Sequence, residues 1–376
     1  MFDLFLSQIE NCFDELFDLE LQLCRIPSPT RKEQKKAEFV RDWLLPYGPV
    51  RIDEANNCIF SGFDDGGDDA LIISAHTDTV FPDLEPFEPV IDGDILRCPG
   101  CGDDTANLAA MMILIKYLAL SGLKPQRPVI FAAVSCEEGL GNLDGAKKLI
   151  ETFGDRTGAY ISLDGDYDSI VDSAVGSYRY RITVKAPGGH SYSRFGNTNA
   201  IAVISELITE LYKVQVPEKA RTTYNVGTIE GGTSVNTIAQ SVCALYEYRS
   251  EDRECLTYMS GQFEAAVNTV RGRYDDAQIT AEILGVRPCT GDVDPAALKE
   301  LADTVETAIR AVVPGDPLPH YASSTDCNIP LSVGIPAACF GLVQSSGAHT
   351  REEYLQISSM KTGIRISAEL LRNYFR

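Results

Sequence analysis

Basic residues are scarce in this chain. Lysine and arginine total 33 against 54 aspartates and glutamates, a formal net charge of −21 over 376 residues. A field of that sign repels phosphate backbones and anionic lipid surfaces within about a Debye length, ~8 Å at physiological salt, so neither nucleic acid nor a membrane surface is expected as a partner. Long apolar runs are missing as well. The amino-terminal MFDLFLSQIENCFDELFDLE spreads acids through an amphipathic pattern, without a basic leading segment or a bilayer-length stretch, and is expected to be neither signal peptide nor membrane span. No disulfide framework is expected, because the 11 cysteines are odd in number and scattered through apolar contexts such as SVCAL and AACFG. Reduced core thiols and a cytoplasmic location follow, and a cysteine-based zinc site is not expected. Histidine is rare, with four in the chain, so any imidazole chemistry must come from very few positions.

What the chain does contain is an alternation of apolar runs with helical patterns, the mark of an α/β layer with a largely parallel sheet. DALIISAHTD, RPVIFAAVSCEEG and GAYISLDGD read as buried strands; RKEQKKAEFVRDWLLPYG, DDTANLAAMMILIKYLALSG and NLDGAKKLIETFG read as helices between them. The style changes near Gly176. SYRYRITVKAPGG alternates polar and apolar residues like a half-exposed antiparallel strand, and the order that follows is helix, strand, strand, long helix over about 253 to 272, strand. The helix PAALKELADTVETAIRAV and the strand IPAACFG return to the first style. The expected architecture is therefore a discontinuous α/β domain over residues 1–176 and 289–376, with a mixed, largely parallel sheet flanked by helices, interrupted by an inserted α+β domain over 177–288. The acidic DDGGDD at 64 to 69 lacks EF-hand spacing and reads as a solvated turn.

In open parallel sheets, ligands gather at the carboxyl ends of the strands, so side chains that end several strands can converge though far apart in sequence. His76 and Asp78 end one strand, Glu137 and Glu138 end another, Asp164 ends a third, and Asp103 and Asp104 open the helix after CPGCG. Singly, each has an ordinary explanation as a chance triplet, a helix cap or a solvated loop. Together they form a carboxylate cluster that repels itself unless protons or cations neutralise it. Imidazole with carboxylates is a ligand set for zinc, cobalt or manganese, and His76 and His349 both stand beside acids, in AHTD and AHTREE. A two-metal site wants one imidazole per ion and one carboxylate between ions ~3.5–4 Å apart.

HTD, GDDTANLAAM, CEEG, SLDGD, GGHS and GAHT, in that order and at those intervals, resemble the M20 family of dinuclear zinc metallopeptidases and deacylases, in style the peptidase T-like members most. The resemblance spans nearly the whole chain. It implies that Asp103 bridges two divalent ions, zinc in the first place, with His76 and Asp164 completing one shell and Glu138 and His349 the other. It implies Glu137 as general base and Asp78 as the partner that holds the His76 imidazole. It further implies that the inserted domain is a lid and dimerisation domain, whose His190 reaches the active site of the partner subunit of a homodimer to polarise the scissile carbonyl, and that Asn236 and Arg249 grip the substrate. Thr105 and Asn107 depart from the lysine and glycine usual after the acidic pair.

Those roles agree with the chemistry of the residues. Consecutive residues after a strand project in different directions, so one of Glu137 and Glu138 can hold metal while the other takes a proton from water and passes it to the leaving amine. Asp78 can accept the second imidazole N–H of His76 and fix its tautomer. Asp104 is expected to cap the following helix; Asp326 and Asn328 either shape the pocket or prepare the last strand; Cys101 and Cys136 are packing residues. The function expected is hydrolysis of the amide bond of short peptides by an exopeptidase of aminopeptidase or tripeptidase type. The alternatives are an N-acyl amino acid deacylase with the same metal chemistry and an inactive binding module of the same fold.

Overall fold

Four apolar runs dictate the centre of one structural unit. Ala70–His76, Val129–Val134 and Ala337–Phe340 are buried at every position, and Thr157–Leu163 at all but one. Strands apolar on both sides need cover on both faces. In the computed structural model, which describes residues 2–376, these runs lie side by side and parallel in the middle of an eight-stranded sheet. The order across it is Val50–Ile52, Cys58–Phe63, Val129–Val134, Ala70–His76, Thr157–Leu163, Ala337–Phe340, Ile170–Ala174, His320–Ser323. Antiparallel pairs at Val50–Ile52 with Cys58–Phe63, and at Cys58–Phe63 with Val129–Val134, make the sheet mixed. Register sets His76 beside Val134, Ser74 beside Ser162 and Phe340 beside Leu163, so the carboxyl ends of the central strands fall at one edge.

The helix Ala106–Ser121 is apolar all round over its first ten residues, as an enclosed stretch of helix must be. Each residue from Ala106 to Ile115 is buried, and the helix ends at Gly122, whose φ of 73° suits a residue without a side chain. Phe2–Glu10, Phe13–Cys24, Pro295–Val312 and Ile357–Leu371 share its hydrophobic cluster, while Asp144–Phe153 and Asn328–Ser332 close the other face of the sheet. The chain divides into two compact units: the first runs to Ala174 and resumes over Gly291–Arg376, and the second is Val175–Thr290.

The second unit is a four-stranded antiparallel sheet in the order Thr222–Gly231, Ser241–Ser250, Gly176–Lys185, Gln278–Arg287. Ser241–Ser250 alternates buried with less buried residues along its length, which leaves one face for the helices Ala200–Leu211 and Arg253–Arg271 to cover. This is the mixed α/β architecture with a separate antiparallel unit that the hydrophobic patterning implies. Among the described residues, no helix is long and apolar enough to cross a membrane. All 11 cysteines are free and ten are buried; Cys98 and Cys101, the chain's one Cys-x-x-Cys spacing, belong to the core. In the acidic 64–69 turn, Asp64 pairs with Arg156 at 2.6 Å.

Candidate active site

The carboxyl edge of the sheet gathers residues from five separate stretches of chain. His76, the last residue of its strand, sets Nε2 2.9 Å from Asp103 Oδ1, and the other oxygen of Asp103 lies 3.2 Å from His349 Nε2. His349 Nε2 is also 2.9 Å from Glu138 Oε1. Three groups of metal-type donors result, each with all its atoms within 4.8 Å of one another: His76 with Asp103 and Asp164, Asp103 with Glu138 and His349, and His76 with Glu137 and Glu138. Asp103 belongs to the first two and so stands between them.

The tautomer of His76 follows from its surroundings. Nδ1 lies 3.0 Å from the backbone carbonyl of Asp78, an acceptor only, so Nδ1 carries a proton. Nε2 faces the Asp103 carboxylate, also an acceptor, so without an ion it is protonated too, and it is the nitrogen that would turn its lone pair to a metal. The Asp78 carboxylate, expected in that role, is 3.6 Å away, too far for a hydrogen bond. Its task lies elsewhere: Oδ1 accepts the backbone N–H of Glu137 at 3.0 Å, and Oδ2 accepts that of Glu138 at 3.0 Å and the Thr30 hydroxyl at 2.9 Å. Buried Asp78 therefore shapes the turn that presents both glutamates.

The electrostatics are those of a cation site. Burial alone would lower the pKa of His76, but the carboxylates of Asp104, Asp103 and Asp78 outweigh it and raise it. Hydrogen bonds to Asp103 and Glu138 push His349 up to about 10. Asp103 is driven below the usual carboxylate range because bonds from His349 and His76 overcome its burial. Burial, with Asp103 and Glu138 near by, lifts Asp164 to about 6, and burial with Asp103 and Glu137 raises Glu138. The negative charge thus draws protons onto two imidazoles, and divalent cations can take their place. Nitrogen and oxygen donors without thiolate, arranged about one shared carboxylate, fit two such ions.

The support of this cluster was less legible in the sequence. Asp104 does not cap the helix: Asp103 and Asp104 have non-helical backbone angles, and Thr105 occupies the capping position. Buried Asp104 accepts the backbone N–H of His76 at 2.7 Å and the side-chain amide of Asn107 at 2.6 Å. The pull of a strand-end N–H on a buried acid outcompetes the cap. Asn107 also donates to the Gly165 carbonyl at 3.3 Å and accepts the Leu342 N–H at 2.7 Å, joining three site-bearing loops. Glu33 accepts the Arg31 N–H at 2.7 Å and the Cys136 N–H at 3.2 Å. Glu353, lifted to about 7 by burial against the pull of its backbone donors, accepts the N–H groups of Gly100, Gly102 and Asp103. The acid after His349 in HTREE was its only signal. Buried Asp326 holds both carboxylate oxygens without a hydrogen-bond partner, and burial with Glu137 near by raises its pKa. Asn328 Oδ1 accepts the Thr325 N–H at 2.9 Å, a turn role.

The second unit carries the other expected residues. Gly189–His190 pairs with Thr237–Ile238, and the Asn236 carbonyl accepts the Ser191 N–H at 2.9 Å, so His190 and Asn236 share one end of that unit. His190 is exposed and its Nδ1 accepts the N–H groups of Tyr192 and Ser193 at 3.2 and 3.4 Å, which leaves the proton on Nε2. Arg249 is not brought to that end. It lies opposite Thr223 and Ser177, eight residues along its strand from Ser241 and so about 25 Å away, and Glu247 fills its fork at 3.0 and 3.1 Å.

Comparison with known proteins agrees with this geometry. Residues 72–373 match the family described as Peptidase family M20/M25/M40. Protein YqjE of Bacillus subtilis is 25% identical over 362 residues, covering 90% of this chain and 93% of that one. A succinyl-diaminopimelate desuccinylase of Corynebacterium glutamicum is 24% identical over 367 residues, covering 94% and 96%. A tripeptidase structure from Staphylococcus aureus superposes with a TM-score of 0.77 at 22% identity, covering 95% of this chain and 97% of its own. The chain belongs to peptidase family M20/M25/M40 and is a metal-binding hydrolase of peptide or acyl-amino acid amide bonds.

Proposed function

We propose that this protein is a cytoplasmic two-metal exopeptidase that hydrolyses short peptides, of aminopeptidase or tripeptidase type. The observation that carries the reading is the position of Asp103 between two imidazole-bearing groups, with Glu137 beside them. His76 and Asp164 would hold one ion, Glu138 and His349 the other, with Asp103 between. The bound ions, zinc in the first place and cobalt or manganese otherwise, supply the positive charge that polarises the amide carbonyl and acidifies water. Glu137 takes the proton of the attacking water and delivers it to the leaving amine. Asp78 keeps Glu137 and Glu138 apart and aimed through the two N–H bonds it accepts.

The second unit serves as lid and dimerisation domain in this reading. His190 offers its Nε2–H to the carbonyl oxygen in the partner subunit's site, and Asn236 holds the substrate backbone. Tyr192, Phe195 and Val235, 90%, 91% and 103% exposed in the same two loops, offer apolar surface to substrate side chains. Arg249 keeps a structural role with Glu247.

An N-acyl amino acid deacylase is the second reading, supported by the desuccinylase similarity over nearly the full chain. The test is a ninhydrin or mass-spectrometric screen of zinc- or cobalt-loaded protein against unblocked di- and tripeptides and against N-acyl amino acids. Release of amino-terminal residues from free peptides alone is the expected result. Cleavage of the acylated panel alone would replace the exopeptidase reading with the deacylase.

A further inference from the structure

The loop that delivers Asp103 is short, glycine-rich and seated on one side chain. Glu353 is 1% exposed. Its Oε2 accepts the Gly100 N–H at 2.7 Å, and its Oε1 accepts the Gly102 and Asp103 N–H groups at 2.9 and 3.0 Å. A carboxylate with three inward-pointing N–H donors is a fixed anion seat, and nothing in it calls on a side chain of the loop. The loop is also shaped to reach it. Gly100 has φ 78°, and a Cβ on Gly102 would lie 2.5 Å from Ser345 Cβ. Only residues without side chains let the backbone settle this deeply between Thr79, Ser345 and Glu353.

We propose that Glu353 is a positioning residue for the metal centre, holding the Gly100–Asp103 backbone so that the Asp103 carboxylate already stands between the two donor groups before any ion binds. It touches neither substrate nor reacting atoms. The inference rests on the two-metal reading and adds that the bridge is built by the fold rather than by the ions. A ligand already in place loses less freedom on binding, and outer partners of metal ligands are typically worth about 10–100-fold in affinity.

The test uses metal-free protein, so its first readout does not depend on activity. In the wild type, the Gly100, Gly102 and Asp103 amides are expected to exchange hydrogen slowly. In Glu353→Gln, whose amide sets a donor against donors, and in Glu353→Ala, they are expected to exchange at least about tenfold faster, while the Ala70–His76 strand keeps its protection. Zinc titration by calorimetry should then show affinity reduced about 10–100-fold in the same variants. Should the Glu353 variants lose protection throughout, Gly102→Ala is the milder perturbation. It lifts the loop against Ser345 with the carboxylate intact, and it should reproduce both the local exchange and the weakened zinc affinity.

Unchanged loop exchange, or faster exchange with wild-type zinc affinity, would overturn the proposal. Asp103→Asn separates the two levels. If it still binds two ions as tightly as wild type, the two-metal reading itself falls. If it loses them while the Glu353 and Gly102 variants bind normally, only the role of Glu353 falls.

Discussion

The two units hold their proposed functional residues in opposite ways. At the sheet edge of the first, buried carboxylates bonded to distant backbone fix most of the key groups: Asp78 the Glu137–Glu138 turn, Asp104 His76, Glu353 the Asp103 loop. His349, 57% exposed, is held by Asp103 and Glu138 instead. At the loop end of the second, His190 is exposed and its imidazole accepts from its own next residues, with aromatic side chains almost wholly in solvent beside it. The contrast matches what each must do. A centre that brings cations among self-repelling carboxylates needs its geometry set in advance, because a misplaced buried charge is costly. Groups that grip a substrate must stay open until it arrives.

The largest expected effect breaks the first side of this comparison at its chemistry. Glu137→Gln should lower kcat about 10²–10⁴-fold while metal content stays at two per chain, since an amide fills the same space and accepts no proton. Metal analysis alongside steady-state kinetics decides it. His76, Glu137 and Glu138 also form a donor group. A loss of metal together with activity would therefore make Glu137 a ligand and move the base elsewhere.

His190→Ala probes the open side. It should reduce kcat about 10²–10³-fold, the range for removing one donor to a developing oxyanion, with metal content and thermal stability unchanged. Mixing it with Glu137→Gln under subunit exchange should restore partial activity, because one hybrid site then pairs a wild-type base with a wild-type lid histidine. Two inactive proteins that stay inactive in the mixture, despite verified exchange, would remove the shared site from the proposal.

The same contrast explains what could be read from sequence. His76, Glu138 and Asp164 were visible because each ends an apolar run with a residue type that has little reason to be there, and Asp103 and His349 because they stand beside further acids in GDDT and AHTREE. The alternation of the second unit was equally legible, since half-buried strands repeat every two residues. Glu353, Asn107 and Glu33 were not. Their partners are backbone N–H and C=O groups up to 253 residues away, and a backbone group leaves no mark in the sequence. Asp104 was misread for a related reason: a helix-capping pattern is local, and the N–H of His76 that claims its carboxylate is 28 residues distant. Arg249 resembled a substrate grip, yet Glu247, two residues away on its own strand, meets the guanidinium first.

Asp78→Asn tests whether the turn is preset as firmly as the contrast requires. Its two oxygens accept two consecutive N–H groups, and an amide can accept only one while turning a donor on the other. Zinc affinity and kcat should each fall about 10–100-fold, less than for loss of the base itself. An unaltered enzyme would mean that Glu33, through Cys136, holds the turn unaided.

The smallest effect concerns protons, and its sign follows from the raised groups. Asp164 sits near 6 in the folded, metal-free protein against an ordinary 3.8, and His349 near 10 against 6.5. Each binds protons more tightly when folded. The stability they lend is fully present below the ordinary value and is lost as pH rises, through about 6 for Asp164 and through about 10 for His349. Cations compete for the same lone pairs, so at pH 5 zinc must displace a proton from Asp164 as well as from His76 and His349, and at pH 7 mainly from the two imidazoles. The rise in Tm on adding saturating zinc should therefore be a few degrees greater at pH 7 than at pH 5, while zinc-free protein loses stability across the same interval. Thermal scans at the two pH values, with and without zinc, measure it. An equal rise at both would mean that the ions bind away from Asp164 and His349, and the buried order of the sheet edge would then serve something other than metal.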